Sequence, residues 1–118
     1  MNPTAHPSPR AARRELARQA RDAFPPMGVH AIRELASGHV LLGASRDVHA
    51  ALNRARFELG MGKHRDRVLQ AAWNARGADA LAFEVLELVK ERDDPAFDYG
   101  AELEALKQLH RELLGLAP

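Results

Sequence analysis

The segment from Leu81 to Val89, LAFEVLELV, constrains the fold of this chain most strongly, because Glu84 and Glu87 are the only interruptions in an otherwise apolar run. The run is far too short for a membrane-spanning helix, which requires roughly 20 apolar residues. Its length and composition are typical of a β-strand that other elements cover on both faces. The sequence therefore predicts a sheet that contains this strand.

Two short segments with β-branched residues precede it and favour a β-hairpin. They extend from Val29 to Arg33 and from His39 to Gly43, and the dipeptide Ser37-Gly38 between them is typical of a turn. A small antiparallel sheet results when this hairpin and the later strand come together, with helices packed on it.

Three helical patterns complete this part of the chain. Asp47 and Asp98 are suited to capping the first and the last of them, and the second extends from about Arg65 to Arg76. Their predicted buried stripes are Val48, Leu52, Ala55 and Leu59, then Val68, Leu69, Ala72 and Trp73, then Tyr99, Leu103, Leu106, His110 and Leu113. We therefore predict an α+β fold, a three-stranded antiparallel sheet with flanking helices in the order β-β-α-α-β-α.

The dipeptide Pro25-Pro26 divides the chain into two predicted parts. Residues 1–26 form a basic N-terminal appendage, in which residues 1–8 are expected to be a disordered lead-in and Ser8-Pro9 begins a helix. That helix has little to bury, because most of its apolar side chains are alanine. Its exposed cations are Arg10, Arg13, Arg14, Arg18 and Arg21. Residues 27–116 form a single compact domain.

Composition excludes several classes of protein. The chain has no cysteine, which excludes a disulfide framework and a thiolate metal site. The first residues lack the apolar middle of a secretory signal, so we expect a soluble, cytoplasmic protein with no membrane partner. Residues 1–33 carry six basic and two acidic side chains, and residues 81–118 carry four basic and nine acidic. This asymmetry permits a basic face for an anionic partner, and a solvated surface of mixed sign is the alternative.

Short motifs on the hairpin have a counterpart in a known family. Gly28-Val29-His30 begins the first strand, Leu41-Leu42-Gly43 ends the second, and Gly43-Ala44-Ser45 is followed by Asp47. In order and spacing these elements resemble the GIY, YIG and G-S-S/A-x-D elements of the GIY-YIG nuclease family.

Two further blocks extend this resemblance from residue 28 to about residue 114. They consist of Leu69-Gln70, Trp73-Asn74 and Gly77, and of Phe83-Glu84-Val85-Leu86. They are similar to the L-Q-x-x-W/F-N-x-x-G and F-x-E-I/V-L blocks of small bacterial members of the family.

The resemblance implies a metal-dependent cut of a phosphodiester. Family members bind one divalent metal through a glutamate, position or activate water with hairpin tyrosines, and neutralise the phosphate charge with an arginine. Glu84 falls at the metal-ligand position, which implies Mg²⁺ or Mn²⁺ as the cofactor. Arg33 matches a basic hairpin position that can contact phosphate.

The other catalytic positions depart from the family pattern. His30 and Leu41 replace the two tyrosines, and Ala51 and Ala55 stand where active members place arginine and histidine. Loss of a single charge-stabilising donor already lowers a rate by about 100-fold to 1,000-fold. The resemblance therefore implies weak or lost cleavage.

Substitute catalytic groups are an open alternative. His30 can take a proton from water, and Arg54 lies three residues after Ala51, roughly one helical turn along. The catalytic candidates are therefore His30, Arg33 and Arg54. In the competing interpretation, His30 is a partly buried polar side chain, Arg54 is a solvated cation, and Glu84 pairs with a neighbouring arginine, Arg33 or Arg46.

We expect a GIY-YIG nuclease-like domain that binds nucleic acid, DNA in particular, with weak or lost cleavage. The candidate binding residues are Arg33, Arg46, Arg54, Arg56 and Lys63, together with the N-terminal arginines. Two alternatives remain: an active magnesium-dependent endonuclease that uses His30 and Arg54, and a protein-interaction module with no nucleic-acid role.

Overall fold

The computed structural model describes residues 8–117, and it describes the side chains of all of them except 19–22. The elements are α1 (Pro9–Asp22), β1 (Gly28–Glu34), β2 (Val40–Ser45), α2 (Val48–Gly60), α3 (Arg67–Arg76), a 3-10 turn (Ala78–Ala80), β3 (Leu81–Leu88) and α4 (Tyr99–Leu113). The predicted element order is therefore confirmed. The predicted lead-in, apart from Ser8, lies outside the described residues.

Strand β1 occupies the centre of the three-stranded sheet, with β2 and β3 antiparallel on either side. His30 lies opposite Gly43 on β2 and opposite Val85 on β3. The next residue, Ala31, lies opposite Glu84. Because successive side chains of a strand point to opposite faces, His30 and Glu84 lie on opposite faces of the sheet.

The hydrophobic core has one part on each face of this sheet. Helices α2 and α3 cover the face that carries Ile32, and α4 covers the face that carries Val29 and Ala31, both fully buried. The first part consists of Ile32, Leu52, Ala55, Leu59, Leu69, Ala72, Ala80 and Leu81. In the second, Val29, Ala31 and Leu42 pack against Leu106, Leu114 and Leu116. The predicted stripe of α2 is confirmed, because all four of its residues are buried.

Aspartate side chains begin three of the helices. Asp47 accepts a hydrogen bond from the Ala50 amide, and Asp98 accepts one from the Ala101 amide, as predicted. Asp66 caps α3, which begins two residues later than predicted because the Asp66 backbone is extended. Within the described residues, no helix has the length and apolar character needed to cross a membrane.

Strand β3 and the end of α4 are less buried than the sequence predicted. Because β3 pairs only with β1, it lies at an edge of the sheet, where Val85 and Leu88 are exposed. Other elements still pack on both faces of β3, since Phe83 contacts the Ile32 cluster and Leu86 the Val29 cluster, but the predicted cover is incomplete. Leu113 is also exposed, since it lies in the last turn of α4, beyond Leu103 and Leu106 in the core.

Helix α1 forms as predicted and lies outside the core. The Ser8 hydroxyl caps it by accepting a hydrogen bond from the Ala11 amide. None of its described side chains belongs to either part of the core or to a third buried cluster, Met27, Val89 and Leu103, and Arg18 pairs with Glu15 on its surface. The connection after α1 is held more firmly, because the Phe24 ring packs on Tyr99 at a centroid distance of 5.3 Å.

Candidate functional site

His30 lies at the centre of the sheet, on the face that also carries Leu41, and its ring passes directly over Gly43. A Cβ atom on Gly43 would lie 2.6 Å from Cε1 and 2.9 Å from Nε2 of the imidazole. Only glycine therefore allows the histidine ring to approach this closely. Gly43, in the YIG-like element of β2, and His30, which replaces the first tyrosine, therefore pack directly against each other.

The electrostatic setting of His30 favours a neutral ring. Its Nδ1 atom is buried and has no hydrogen-bond partner among the described residues. Burial lowers the pKa of His30, and the positive charge of Lys107 lowers it further. A neutral imidazole can accept a proton, but Nδ1 is withdrawn from solvent. The proposed catalytic role of His30 stays a prediction.

Two of the departures from the family pattern lie in or against the core on the α2 side of the sheet. Ala55 is buried in the core cluster that contains Ile32, and Leu41 packs against that cluster. The two replacements at former polar positions, Leu41 and Ala55, therefore contribute to packing. They offer no group that can bind phosphate or water.

Arg33 and Glu84 form an ion pair on the opposite face. The Arg33 Nε–H donates to Glu84 Oε1 at 3.0 Å, and about a third of each side chain is exposed. This is one of the pairings that the sequence left open. The bond uses one N–H of the guanidinium that was a candidate for phosphate binding and one oxygen of the carboxylate that was a candidate for metal binding.

These residues do not fit the magnesium centre that the family resemblance implies. A magnesium ion can be held by one or two carboxylates and retained waters. The Glu84 carboxylate already accepts a hydrogen bond from the Arg33 guanidinium. A metal ion bound to Glu84 would lie on the opposite face of the sheet from His30. Among residues 8–117 no cluster of three or more histidine or acidic side chains offers an alternative metal site.

Exposed cations are concentrated on α2 and on the connection to α3. Residues 46–67 contain six basic and three acidic side chains. Asp47 and Asp66 cap helices, and Glu58 lies 3.9 Å from Arg54, too far for a strong ion pair. The exposed cations are Arg46, Arg54, Arg56, Lys63, Arg65 and Arg67. We call this set the α2 basic surface.

The α2 basic surface contains four of the five predicted binding residues and two that the sequence analysis missed. Arg65 and Arg67 were overlooked because they fell within or beside a predicted helix, where charge is ordinary. Arg56 also lies over the Phe83 ring, with Cζ 4.1 Å from the centroid. Arg54 is the most solvated of the paired cations, with 80% of its side chain exposed.

A buried carboxylate near the hairpin turn has a structural role. Glu34 accepts hydrogen bonds from the Ser37 hydroxyl and from the Ala36 and Ser37 amides, and it pairs with Arg76 of α3. The Ser37 hydroxyl contributes most to lowering the pKa of Glu34 to about 2. The ionised side chain therefore ties the β1–β2 turn to α3.

The architecture has a counterpart among solved structures. No protein-family model and no curated protein matches the sequence. The structure of the catalytic domain of the homing endonuclease I-TevI, a GIY-YIG nuclease, matches with a TM-score of 0.58 and 19% identity, over 75% of this chain and 88% of that chain. A glutamate-to-alanine mutant of the same domain matches at 0.58 and 18%, over 75% and 84%. The chain therefore has a GIY-YIG-like fold, as predicted.

Proposed function

We propose that this protein binds nucleic acid, DNA in particular, through a GIY-YIG-like domain that has lost phosphodiester cleavage. We also propose that residues 27–116 are the binding domain and that residues 1–26 are a basic appendage that adds positive charge. The separation of His30 from Glu84 by the sheet carries the first proposal. The α2 basic surface supports the binding role.

The argument for lost cleavage starts from what a metal-dependent cut requires. The metal, the attacking water and the phosphate must lie within a few ångströms of one another, because misplacement of a reacting group is costly. His30 and Glu84 lie on opposite faces of the sheet, and Arg33 holds the Glu84 carboxylate. On the His30 face, Leu41 and Ala55 are apolar where active family members carry a tyrosine and a histidine, and the Arg56 guanidinium on this face lies over the Phe83 ring.

The argument for binding rests on uncompensated charge. Each cation that contacts a phosphate releases a counterion, and this release drives binding without regard to sequence. The carboxylates among residues 46–67 are used mainly as helix caps, which leaves the cations of the α2 basic surface available. Such binding weakens steeply as the salt concentration rises.

Fluorescence anisotropy with labelled duplex and branched DNA, measured over a range of salt concentrations, tests this proposal. Replacement of Arg54 and Lys63 by glutamine should weaken binding and reduce the salt slope by about 0.9 for each phosphate that is no longer neutralised. The matched control replaces Lys90 and Arg92, which are exposed in the loop after β3, and should bind like the wild type. No binding by the wild type below about 100 μM at low salt, the weak end of non-specific affinities, would overturn the proposal.

A further inference from the structure

Phe57 points away from the core on the outer side of α2. The buried stripe of this helix is Val48, Leu52, Ala55 and Leu59. Phe57 is 69% exposed, and one turn further along the same side Met61 is 55% exposed. Phe57 and Met61 therefore lie next to each other in solvent, and neighbouring exposed apolar side chains can mark a binding site.

The groups around Phe57 on the outer side of α2 are mostly basic. Arg54 precedes Phe57 by three residues, so the two side chains are neighbours on the helix, and the exposed Lys63 follows six residues later in the connection to α3. The carboxylate next to it, Glu58, is 3.9 Å from Arg54 and neutralises that cation weakly. An exposed aromatic ring flanked by solvated cations favours a partner that is both planar and anionic.

The second aromatic ring near these cations is already occupied. Phe83 lies beneath the Arg56 guanidinium, at 4.1 Å from the centroid, and packs against the core. Phe57, in contrast, has neither an aromatic nor a cation contact among the described residues. Its ring is therefore available to a ligand.

We propose that Phe57 is a stacking platform for an unpaired nucleobase, with Arg54 and Lys63 binding the neighbouring phosphates. Proteins that bind single-stranded nucleic acid combine cations along the backbone with aromatic rings under the bases. Bases in a duplex present no free face to such a ring, so the α2 basic surface should prefer single strands or frayed ends. A protein partner fits less well at Lys63, because lysine is depleted at protein interfaces, whereas it is a common phosphate ligand. This proposal rests on the proposed nucleic-acid function.

Binding of a fluorescent oligo-dT and of a blunt duplex by Phe57→Ala tests the proposal. Loss of one stacked base should weaken oligo-dT binding by about 5-fold to 150-fold, since each stacked base contributes about 1–3 kcal/mol. Duplex affinity and the salt slope should stay at the wild-type values, because no cation is removed. The thermal midpoint should also be unchanged, since Phe57 is exposed.

Two further variants distinguish stacking from simple apolar contact. Phe57→Trp should bind oligo-dT at least as well as the wild type, and Phe57→Leu should lose affinity as Phe57→Ala does. Equal oligo-dT binding by wild type and Phe57→Ala, or full binding by Phe57→Leu, overturns the stacking site and leaves the proposed function intact. A wild type that binds neither oligonucleotide overturns both.

Discussion

His30 and Glu84 project from opposite faces of the sheet, because His30 pairs with Val85 and the neighbouring Ala31 pairs with Glu84. This relationship separates the catalytic candidate His30 from the metal-ligand candidate Glu84, which a metal-dependent cut using both would need close together. It leaves the fold intact, since the hairpin, the third strand and the helices all form. The fold is that of a nuclease-like domain, and in our proposal packing has replaced the chemistry of its site.

Gly43→Ala should destabilise the protein through a clash with His30. The new Cβ would lie 2.6 Å from the imidazole, and forcing extra volume into packed structure typically costs about 1–3 kcal/mol. Urea denaturation should show this decrease in stability in the single variant. The same substitution in a His30→Ala background should cost much less, because the ring is gone. An equal cost in both backgrounds would contradict the packing account of this pair.

Glu34 should make the protein acid-sensitive. Its pKa in the folded state, about 2, is below its ordinary value of 4.5, so the unfolded chain binds more protons between these two values. The stabilising contribution is complete above about pH 4.5 and is lost as the pH falls towards 2. The free energy of unfolding, measured by urea denaturation from neutral pH downwards, should fall across this window in the wild type.

Glu34→Gln should flatten that part of the profile, because the variant has no carboxylate to protonate at this position. Asp93→Asn, in the exposed loop after β3, is the matched control and should keep the wild-type profile. A Glu34→Gln profile as steep as that of the wild type between pH 4.5 and 2 would contradict the role of this carboxylate.

The Arg33 and Glu84 pair should contribute modestly to stability and should not bind metal. Because about a third of each side chain is exposed, a double-mutant cycle with Arg33→Gln and Glu84→Gln should give a coupling energy of about 0.2–1 kcal/mol. Added Mg²⁺ should leave the melting temperature of the wild type unchanged. A rise in melting temperature with Mg²⁺ that Glu84→Gln abolishes would assign a metal to this carboxylate.

Much of the architecture could be predicted because it depends on local chemistry. An aspartate with an extended backbone at the start of a helix caps that helix, as Asp47 and Asp98 do. The Ser37-Gly38 turn determines the hairpin. The exposure of Phe57 could also have been predicted, because this residue falls outside the buried stripe of α2. The helices and strands, and the exposure of Phe57, were therefore predictable from the sequence.

The candidate site could not be predicted as well, because it depends on register. Val29 lies opposite Glu87 and His30 lies opposite Val85, so β3 has one extra residue, Leu86, at a bulge. A shift of one residue moves a side chain to the other face of the sheet, and no local pattern in β3 reveals the bulge. The sequence left open whether Glu84 binds a metal or pairs with Arg33 or Arg46, whereas the register places it beside Arg33 and on the opposite face from His30.

Plasmid nicking in Mg²⁺ or Mn²⁺, with DNA binding measured on the same preparations, tests the central claim most directly. The wild type and Glu84→Ala should both bind DNA and both leave the plasmid intact, because the carboxylate and His30 lie on opposite faces of the sheet. Metal-dependent nicking by the wild type that Glu84→Ala abolishes would contradict the account and would establish an active endonuclease.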